Sequence, residues 1–288
     1  MSIVVTGATG ATGHLGRLVV EALLARGVPA DQIVATGRRV EALADLQDRG
    51  VTVRRADYTD PDSLRAAFAG AEKVLLVSSS EVGQRLPQHR NVISAAKDAG
   101  VRLIAYTSFP HADTSTLPLA AEHLATEQVL VESGVPHVVL RNGWYIENYT
   151  GQLATYLEHG IVGSAGTGKV SAAPRADFAE AAAAVLTQDG HDGAVYELGG
   201  EAFTMPELAA TVSAVTGRQV AYTDVPVEQY AQILVGAGLP EPAAALFADF
   251  DRAVADGEHH VGDDLATLIG RAPTPLADAV AAAAARQQ

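Results

Sequence analysis

A glycine-rich stretch near the start of the sequence constrains the fold more than any other segment. Residues 3–5 (Ile-Val-Val) favour a β-strand, and glycines then recur at every third position from Gly7 to Gly16. From Leu15 onward, apolar residues follow the period of a helix. The order strand, glycine turn, helix is typical of a nucleotide-binding unit, because glycine permits a close backbone approach and the N–H groups at a helix start favour a phosphate anion. A pyrophosphate is the expected ligand, and an ordinary glycine-rich loop is the alternative.

The stretch contains two overlapping frames of glycines spaced three residues apart. One frame is Gly7, Gly10 and Gly13, and the other is Gly10, Gly13 and Gly16. Only Gly10 and Gly13 belong to both frames. The sequence leaves open which frame holds the pyrophosphate.

The second predicted strand, residues 33–36, ends in Gly37, Arg38 and Arg39. In a dinucleotide-binding fold this position faces the adenosine ribose, where an acidic residue binds the 2′-hydroxyl of NAD and an arginine binds the 2′-phosphate of NADP. The absence of Asp and Glu at this position favours NADP, with a solvated basic pair as the alternative. Asp57, after the third predicted strand, is expected either beside the adenine or in a turn.

Strands and helices alternate along the first half of the chain. Mostly apolar segments at 73–77, 103–106 and 138–140 predict three more buried strands, each preceded by a helical segment. This alternation predicts an α/β fold with a doubly wound parallel sheet of the Rossmann type over residues 1–147. The alternation weakens afterwards, so residues 148–288 are expected to form a smaller C-terminal α/β lobe that packs against the core and returns some elements to it.

Polar and aromatic residues follow several of the predicted strands. Ser78–Ser80 follow the fourth strand, and ligands of open parallel sheets lie at the carboxyl ends of strands, so these serines are expected to line the cofactor site. Arg141–Tyr145 follow the sixth strand and include Trp144, the only tryptophan in the sequence. This run predicts an aromatic wall and polar rim for a flat ring, with a gap-filling Trp144 as the alternative. Arg175 precedes an alanine-rich helix and is expected to close over the cofactor.

Composition excludes several classes of function. The 20 basic and 34 acidic side chains give a formal net charge of −14, which argues against a general nucleic-acid-binding protein. The absence of cysteine excludes disulfides and thiol nucleophiles and fits a reducing compartment. No apolar run is long enough to span a membrane, so a cytoplasmic location is expected. The histidines lack the spacing of metal ligands, and no metal is expected.

The sequence lacks the Tyr-x-x-x-Lys motif with which short-chain dehydrogenases protonate an alkoxide. Its lysines are Lys73, Lys97 and Lys169, and none of them follows a tyrosine by four residues. Alcohol–ketone interconversion through that pair is therefore not expected. A quinone needs less assistance because its reduction yields an aromatic ring, so positioning it against a nicotinamide supplies most of the catalysis. His111 with Asp113 is a candidate proton relay, and an ordinary loop histidine is the alternative.

Motifs spread over nearly the whole chain indicate one family. They are T-G-A-T-G-H-L-G at 9–16, Arg38, L-L-V-S-S-S-E-V-G-Q-R at 75–85, P-Q-H-R-N-V-I at 87–93, I-A-Y-T-S at 104–108, H-A-D-T-S at 111–115, L-R-N-G-W-Y at 140–145 and R-A-D at 175–177. Together they resemble the NmrA-like atypical short-chain dehydrogenases, and within them the bacterial NAD(P)H:quinone oxidoreductases. The resemblance implies a Rossmann domain with a small C-terminal lobe, NADPH in the cleft and a quinone near its nicotinamide. No flavin is expected.

The resemblance also implies roles for individual residues. The implied cofactor-binding residues are Gly7, Gly10, Ala11, Thr12, Gly13, His14 and Leu15 at the glycine turn, Arg38 at the 2′-phosphate, Asp57, Ser78, Ser79 and Ser80 along the cofactor, Asn142, Gly143, Trp144, Tyr145, Ile146 and Glu147 beside the nicotinamide, and Arg175 over the cleft. The candidates for positioning a quinone are Asn142, Trp144, Tyr145 and His111, and no certain catalytic residue is assigned.

The glycine turn departs from the family pattern, which has a single G-A-T-G-x-x-G. Here G-A-T is repeated, so three extra residues join either the loop or the following helix. In a longer helix, Gly16 would lie inside at a cost of about 1 kcal/mol. In a longer loop, the affinity for the cofactor would change.

These observations lead to one principal hypothesis, the two-electron reduction of quinones by hydride transfer from NADPH. One alternative is an NADP(H)-binding redox sensor with little catalysis, which would require a regulatory protein partner. Another alternative is a reductase of a different flat acceptor, such as an azo or triarylmethane dye. A homodimer is also expected.

Overall fold

The computed structural model describes residues 2–10 and 14–286. The strands are β1 Ile3–Val5, β2 Ile33–Gly37, β3 Thr52–Arg55, β4 Lys73–Leu76, β5 Leu103–Ser108, β6 His137–Asn142, β7 Ile161–Gly163, β8 Val195–Leu198 and β9 Tyr222–Asp224. A seven-stranded parallel sheet has the order β3-β2-β1-β4-β5-β6-β8, and β7 pairs with β9 in a second, two-stranded sheet. The order of the first six strands is that of a Rossmann fold, which confirms the predicted fold class.

The helices connect these strands and cover both faces of the main sheet. They are α1 Leu15–Ala25, α2 Ala44–Asp48, α3 Pro61–Phe68, α4 Arg85–Asp98, α5 Pro118–Ser133, α6 Glu147–Thr150, α7 Leu153–His159, α8 Arg175–Thr187, α9 Met205–Thr216, α10 Val227–Gly236, α11 Glu241–Ala255, α12 Asp264–Ile269 and α13 Leu276–Ala285. Short 3₁₀ turns lie at Ala30–Gln32 and Val40–Leu43. None of the helices in the described part of the chain is long and apolar enough to cross a membrane.

The alternating side chains of each strand bury both faces of the main sheet. In β1, Ile3 and Val5 pack in the cluster that includes residues of α1 and α8, while Val4 packs in the cluster that includes residues of α3, α4 and α5. Since both faces are covered, these strands carry nearly continuous apolar runs, as the sequence predicted.

The C-terminal half of the chain contributes to the main sheet as well as forming its own cluster. Helix α8 packs against α1, and β8 extends the sheet beside β6, with Arg141 in register with Glu197. A third apolar cluster includes Leu153, Phe203 and Phe250. The division into residues 1–147 and 148–288 therefore stays a prediction, because residues 175–198 return to the Rossmann core.

Two helix starts are capped by side chains. At α3, the carboxylate of Asp60 accepts hydrogen bonds from the backbone N–H groups of residues 62 and 63. At α9, Thr204 and Glu207 form a reciprocal capping box with distances of 2.7 and 3.3 Å. The segment after β2 forms a 3₁₀ turn, Val40–Leu43, followed directly by the short α2.

Candidate functional site

The glycine turn lies between the end of β1 and the start of α1. Gly7 has a φ of 66°, a conformation that favours glycine, and its carbonyl accepts the N–H of Gly10 at 3.0 Å. The N–H of Ala8 donates to the carbonyl of Thr36 at 2.9 Å, so the turn is held against the end of β2. Of the expected pyrophosphate-binding residues, 11–13 (Ala11, Thr12 and Gly13) lie outside the described residues.

Gly16 is the glycine at which the backbone of α1 meets the turn. It is the second residue of the helix, and a Cβ atom added there would lie 2.5 Å from the carbonyl oxygen of Thr6 and 2.8 Å from the amide nitrogen of Ala8. Close packing of helix against strand is the role of the third glycine in a dinucleotide-binding fingerprint. Since α1 begins at Leu15, Gly16 opens the helix and does not lie inside it; the part of the repeat at 11–13 lies outside the described residues.

A cleft of about 240 Å³ opens at the carboxyl ends of β1, β2, β3 and β4. The residues expected to bind the cofactor that line this cleft are Gly7, Gly10, His14, Leu15, Arg38, Asp57, Ser78, Ser79, Ser80, Tyr145 and Arg175. The fold thus brings together residues from six separate parts of the sequence. Their individual roles toward a cofactor stay predictions.

Arg38 lies at the end of β2, at the rim of the cleft. Its guanidinium forms an ion pair with the carboxylate of Glu81 at 3.2 Å, and 63% of the Arg38 side chain is exposed. Glu81 also accepts a hydrogen bond from the side-chain amide of Gln88 at 2.8 Å. A phosphate bound by Arg38 would therefore compete with the carboxylate of Glu81.

Asp57 closes a turn at the edge of the cleft, and its expected place beside the adenine stays a prediction. It lines the cleft, and its carboxylate also closes a turn by accepting the backbone N–H of Thr59 at 2.9 Å and the hydroxyl of Thr59 at 2.7 Å. These hydrogen bonds, the backbone one above all, lower the pKa of Asp57. Asp57 is therefore ionised and fixed in place at neutral pH.

Side chains of β5 and α4 form hydrogen bonds with the backbone of Ser78 and Ser79, which follow β4. The N–H of Ser78 donates to the hydroxyl of Thr107 at 2.8 Å, and the N–H of Ser79 donates to Nε2 of His89 at 2.9 Å. Arg85 donates from Nε to the carbonyl of Ser79 at 2.7 Å. Burial lowers the pKa of His89 to about 3, so its ring is neutral and can accept. These contacts fix the segment at the edge of the cleft.

Tyr58 connects the ends of β1 and β4 beneath the cleft. Its hydroxyl donates to the carbonyl of Val77 at 2.8 Å and lies 2.5 Å from the hydroxyl of Thr6. The Thr6 hydroxyl in turn accepts the N–H of Val77 at 3.0 Å. Burial raises the pKa of Tyr58, so this hydroxyl stays protonated.

Tyr145 and Arg175 form the wall of the cleft next to the C-terminal lobe. The guanidinium carbon of Arg175 lies 4.4 Å from the centre of the Tyr145 ring, a cation–π contact. Glu147 holds Arg175 through an ion pair of 3.3 Å and by accepting its backbone N–H at 2.9 Å. Burial raises the pKa of Tyr145, so its hydroxyl is neutral. The side-chain amide of Asn142 donates to that hydroxyl at 3.5 Å.

Several residues expected beside the nicotinamide do not line the large cleft. Asn142 and Ile146 are buried, and Oδ1 of Asn142 has no hydrogen-bond partner among the described residues. Gly143 packs tightly, since a Cβ there would lie 2.8 Å from the carbonyl oxygen of Leu198. Trp144 turns away from the cleft and lines a second cavity. Their roles toward cofactor or acceptor stay predictions.

His111 and Asp113 do not form the expected proton relay. The carboxylate of Asp113 pairs with Arg141 at 2.8 Å. The carboxylate near His111 is Glu197, at 3.6 Å from Nδ1. Arg141 also pairs with Glu197 and Glu127, so the end of β6 holds an ionic cluster that orders this loop. The pairing of His111 with Asp113 was wrong because Arg141, with its several donors, attracts the loop carboxylate.

The described structure identifies cleft residues to which the sequence gave no role. They are Thr9, Gly37, Tyr58, Glu81, Arg85 and Gln88. Glu81, Arg85 and Gln88 lie within the family motifs at 75–85 and 87–93, so those motifs were the available signal. Tyr58 follows Asp57 directly, but nothing in its local sequence indicates the contact across the sheet to Thr6.

The arrangement fits a dinucleotide better than a metal. A turn without Cβ atoms at Gly7 and Gly10 leads to the start of α1, and Arg38 supplies a cation at the far rim. Within residues 2–10 and 14–286, no group of three His, Asp or Glu side chains is placed to hold a metal ion.

Comparison with known proteins agrees with this fold and cleft. Residues 2–278 match the model of the NmrA-like family. The chain belongs to this family. It is 50% identical over 277 residues to quinone oxidoreductase 2 of Escherichia coli. The match covers 94% of this chain and 96% of that protein.

Two solved structures of similar proteins hold the predicted cofactor. The crystal structure of the NADPH-dependent quinone oxidoreductase of E. coli complexed with NADPH has a TM-score of 0.93 and 48% identity, and covers 97% of this chain and 99% of that chain. The Citrobacter sp. triphenylmethane reductase complexed with NADP(H) has a TM-score of 0.92 and 43% identity, and covers 98% of this chain and 100% of that chain. NADPH is therefore the cofactor of this protein.

Proposed function

We propose that this protein is an NADPH-dependent quinone oxidoreductase. The observation that carries the proposal is the single cleft that joins the glycine turn, Arg38 and the Tyr145–Arg175 wall. The 50% identity to quinone oxidoreductase 2 of E. coli supports a quinone as the acceptor. Bound NADPH supplies a hydride, and with one proton from water the quinone becomes a hydroquinone.

The residues of the chain bind and orient the two reactants. The N–H groups of the turn and of the start of α1 bind phosphate oxygens, and Arg38 binds the 2′-phosphate. Ser78–Ser80 contact the middle of the cofactor from a segment that His89 and Arg85 hold rigid. Tyr145 and Arg175 cover the reactive end of the cleft and limit its access to water.

The chemistry suits a site without a strong proton donor. The chain lacks the tyrosine–lysine pair, and the buried hydroxyl of Tyr145 has a raised pKa. A neutral tyrosine can still donate a hydrogen bond to a quinone oxygen. Positioning of the flat ring then supplies most of the rate acceleration.

Turnover of NADPH with a quinone tests this proposal. Loss of NADPH absorbance is followed with 1,4-benzoquinone, a naphthoquinone and a methylated analogue, after NADPH binding has been measured on the same preparation. We expect quinone-dependent oxidation and formation of hydroquinone without semiquinone. A protein that binds NADPH but oxidises it with none of these quinones would refute the proposal and favour the redox sensor.

Substitution of Arg38 tests the choice of NADPH over NADH. Arg38→Ala removes one charge-assisted interaction with the 2′-phosphate, worth about 1.5–3 kcal/mol, so the Kd for NADPH should rise by about 10- to 100-fold while that for NADH barely changes. Arg39→Ala is the matched control, because Arg39 donates to the backbone carbonyl of Thr9 at 3.4 Å. An equal loss of NADPH and NADH affinity in Arg38→Ala would contradict the assignment.

A second acceptor class is supported by the Citrobacter relative, whose name refers to triphenylmethane dyes. The NADPH assay with a cationic dye in place of the quinone tests this candidate. An azo dye is included as a further acceptor.

We also propose a homodimer in a cytoplasmic location. The cysteine-free sequence supports a reducing compartment. Val131 and Val195 leave 66% and 50% of their surfaces exposed, which supports an apolar contact between copies. Light scattering that gives the mass of one chain would refute the dimer.

A further inference from the structure

A second, smaller cavity lies within the C-terminal lobe. It has a volume of about 30 Å³ and is enclosed by α6, α7, β7, β9, α10 and α11. Its walls are largely aromatic and include Trp144, Tyr149, Tyr156, Tyr222, Tyr230 and Phe250. Trp144 stacks on Phe250 with a distance of 3.6 Å between ring centres. The cavity therefore presents several π faces to whatever occupies it.

One carboxylate, that of Asp251, lines this cavity. Asp251 is only 7% exposed, and its Oδ2 accepts the N–H of Ser164 at 2.8 Å. In residues 2–10 and 14–286, no Lys, Arg or His forms an ion pair with Asp251. Burial raises the pKa of Asp251 to about 6, so the side chain is still ionised at neutral pH. A buried carboxylate without a counter-charge is costly, and a cationic ligand would offset that cost.

The groups that face Asp251 strengthen the negative potential of the cavity. Tyr149 is buried and its hydroxyl has no hydrogen-bond partner among the described residues. Burial, with a further contribution from repulsion by the Asp251 carboxylate, raises the pKa of four tyrosines, namely Tyr149, Tyr156, Tyr222 and Tyr230. The carboxylate of Asp224 adds a second negative charge nearby. The cavity thus combines acidic and aromatic groups with an unpaired hydroxyl.

Aromatic faces around a carboxylate are complementary to an organic cation, because the ring faces and the carboxylate both attract positive charge. The size of the cavity restricts that cation. One water needs roughly 10–15 Å³ of cavity volume, so the cavity accepts about two or three non-hydrogen atoms. We infer that the cavity binds a small alkylammonium group, either as a free cation or as the charged end of a larger molecule.

The position of the cavity connects it with the cleft. Asn148 lines the cavity, and its Oδ1 accepts a hydrogen bond at 3.2 Å from Arg175, which lines the cleft. The cleft and the cavity are therefore adjacent, and the charged amine arm of a larger acceptor is one of the two sources of the cation. The inference goes beyond quinone reduction, and cation binding can be measured without turnover.

The single tryptophan gives a direct test. Trp144 lines the cavity, so its fluorescence reports on the occupant. We expect dimethylammonium chloride to change the emission of the wild-type protein saturably, whereas sodium chloride and the neutral ethanol, which also has three non-hydrogen atoms, do not. The affinity should fall as the pH is lowered through about 6, because Asp251 becomes protonated.

Two variants separate the cavity from the general surface charge. Asp251→Asn should weaken dimethylammonium binding at least 10-fold. Asp256→Asn should leave it unchanged, because Asp256 is exposed at the end of α11 and pairs with Arg252. A non-saturating response of the wild type, or equal affinity in wild type and a folded Asp251→Asn variant, would overturn the inference. Thermal unfolding of each variant establishes that it is folded.

Turnover assays then distinguish the two sources of the cation. If the site receives the amine arm of an acceptor, Asp251→Asn raises the KM for malachite green, a cationic dye with dimethylamino groups, but not for benzoquinone. If the site takes a free cation, both KM values are unchanged while the fluorescence titration still saturates. A protein inactive with every acceptor would overturn the proposed function but leave the fluorescence test intact.

Discussion

The most direct test of the doubled glycine frame is the substitution Gly16→Ala. A Cβ at this position would lie 2.5 Å from the carbonyl oxygen of Thr6 and 2.8 Å from the amide nitrogen of Ala8. Both neighbours are backbone atoms, which cannot rotate away as a side chain can. The start of α1 must therefore shift away from the turn, and the phosphate-binding N–H groups shift with it.

The expected size of this effect follows from two opposing contributions. Alanine stabilises a helix relative to glycine by about 1 kcal/mol, whereas overpacking costs about 1–3 kcal/mol. Gly236→Ala is the matched control, because Gly236 is also helical and a Cβ there meets nothing within 4 Å. The control should gain about 0.4–1 kcal/mol. The two variants should therefore differ by about 1–3 kcal/mol in the free energy of unfolding.

Urea unfolding of both variants measures this difference, and titration with NADPH measures its consequence at the site. We expect Gly16→Ala to be less stable than Gly236→Ala and to bind NADPH more weakly than the wild type. If Gly16→Ala is as stable as Gly236→Ala and binds NADPH with the affinity of the wild type, the start of α1 does not lie as close to the turn as the structure indicates. The third glycine of the fingerprint would then have to be sought at Gly13.

Three further substitutions test charges in the cleft, at the buried His259 and in the small cavity. Glu81→Gln removes the carboxylate that pairs with Arg38, so it should tighten NADPH binding by about 0.2–1 kcal/mol in calorimetric titration and leave NADH binding unchanged. Burial lowers the pKa of His259 to about 4, so the unfolded chain takes up a proton at a higher pH than the folded protein does. The free energy of unfolding should therefore fall by about 3 kcal/mol as the pH falls from about 6.5 to 4. His259→Phe should abolish this loss in urea unfolding. Burial raises the pKa of Asp251 to about 6, so the folded protein takes up a proton at a higher pH than the unfolded chain does. The free energy of unfolding should therefore fall by about 3 kcal/mol as the pH rises from about 4 to above 6. Asp251→Asn should be more stable than the wild type at pH 8 but not at pH 4. An unfolding free energy of Asp251→Asn that parallels the wild type at every pH would contradict the burial of an ionised carboxylate.

The fold was predictable from the sequence because each of its determinants is local. Strands such as Lys73–Leu76 are apolar after their first residue, and helices such as Pro61–Phe68 begin at a recognisable cap. The alternation of the two then allows one common sheet topology. The position of β8 at the edge of the main sheet was harder to predict from the sequence, because it depends on pairing with β6, which is distant in sequence.

The site was predictable only as far as single positions at strand ends. Arg38 and Ser78–Ser80 follow strands, and the carboxyl ends of parallel strands meet at one edge of the sheet. The contacts that hold these residues were not predictable, because they join positions far apart in the chain. Ser79 with His89, and Tyr58 with Thr6, are pairs of this kind.

Trp144 shows most clearly why a motif does not fix the orientation of its side chains. The run L-R-N-G-W-Y predicted one aromatic wall, yet Tyr145 faces the cleft while Trp144 stacks on Phe250 in the small cavity. Neighbouring residues at the end of β6 thus serve two separate cavities.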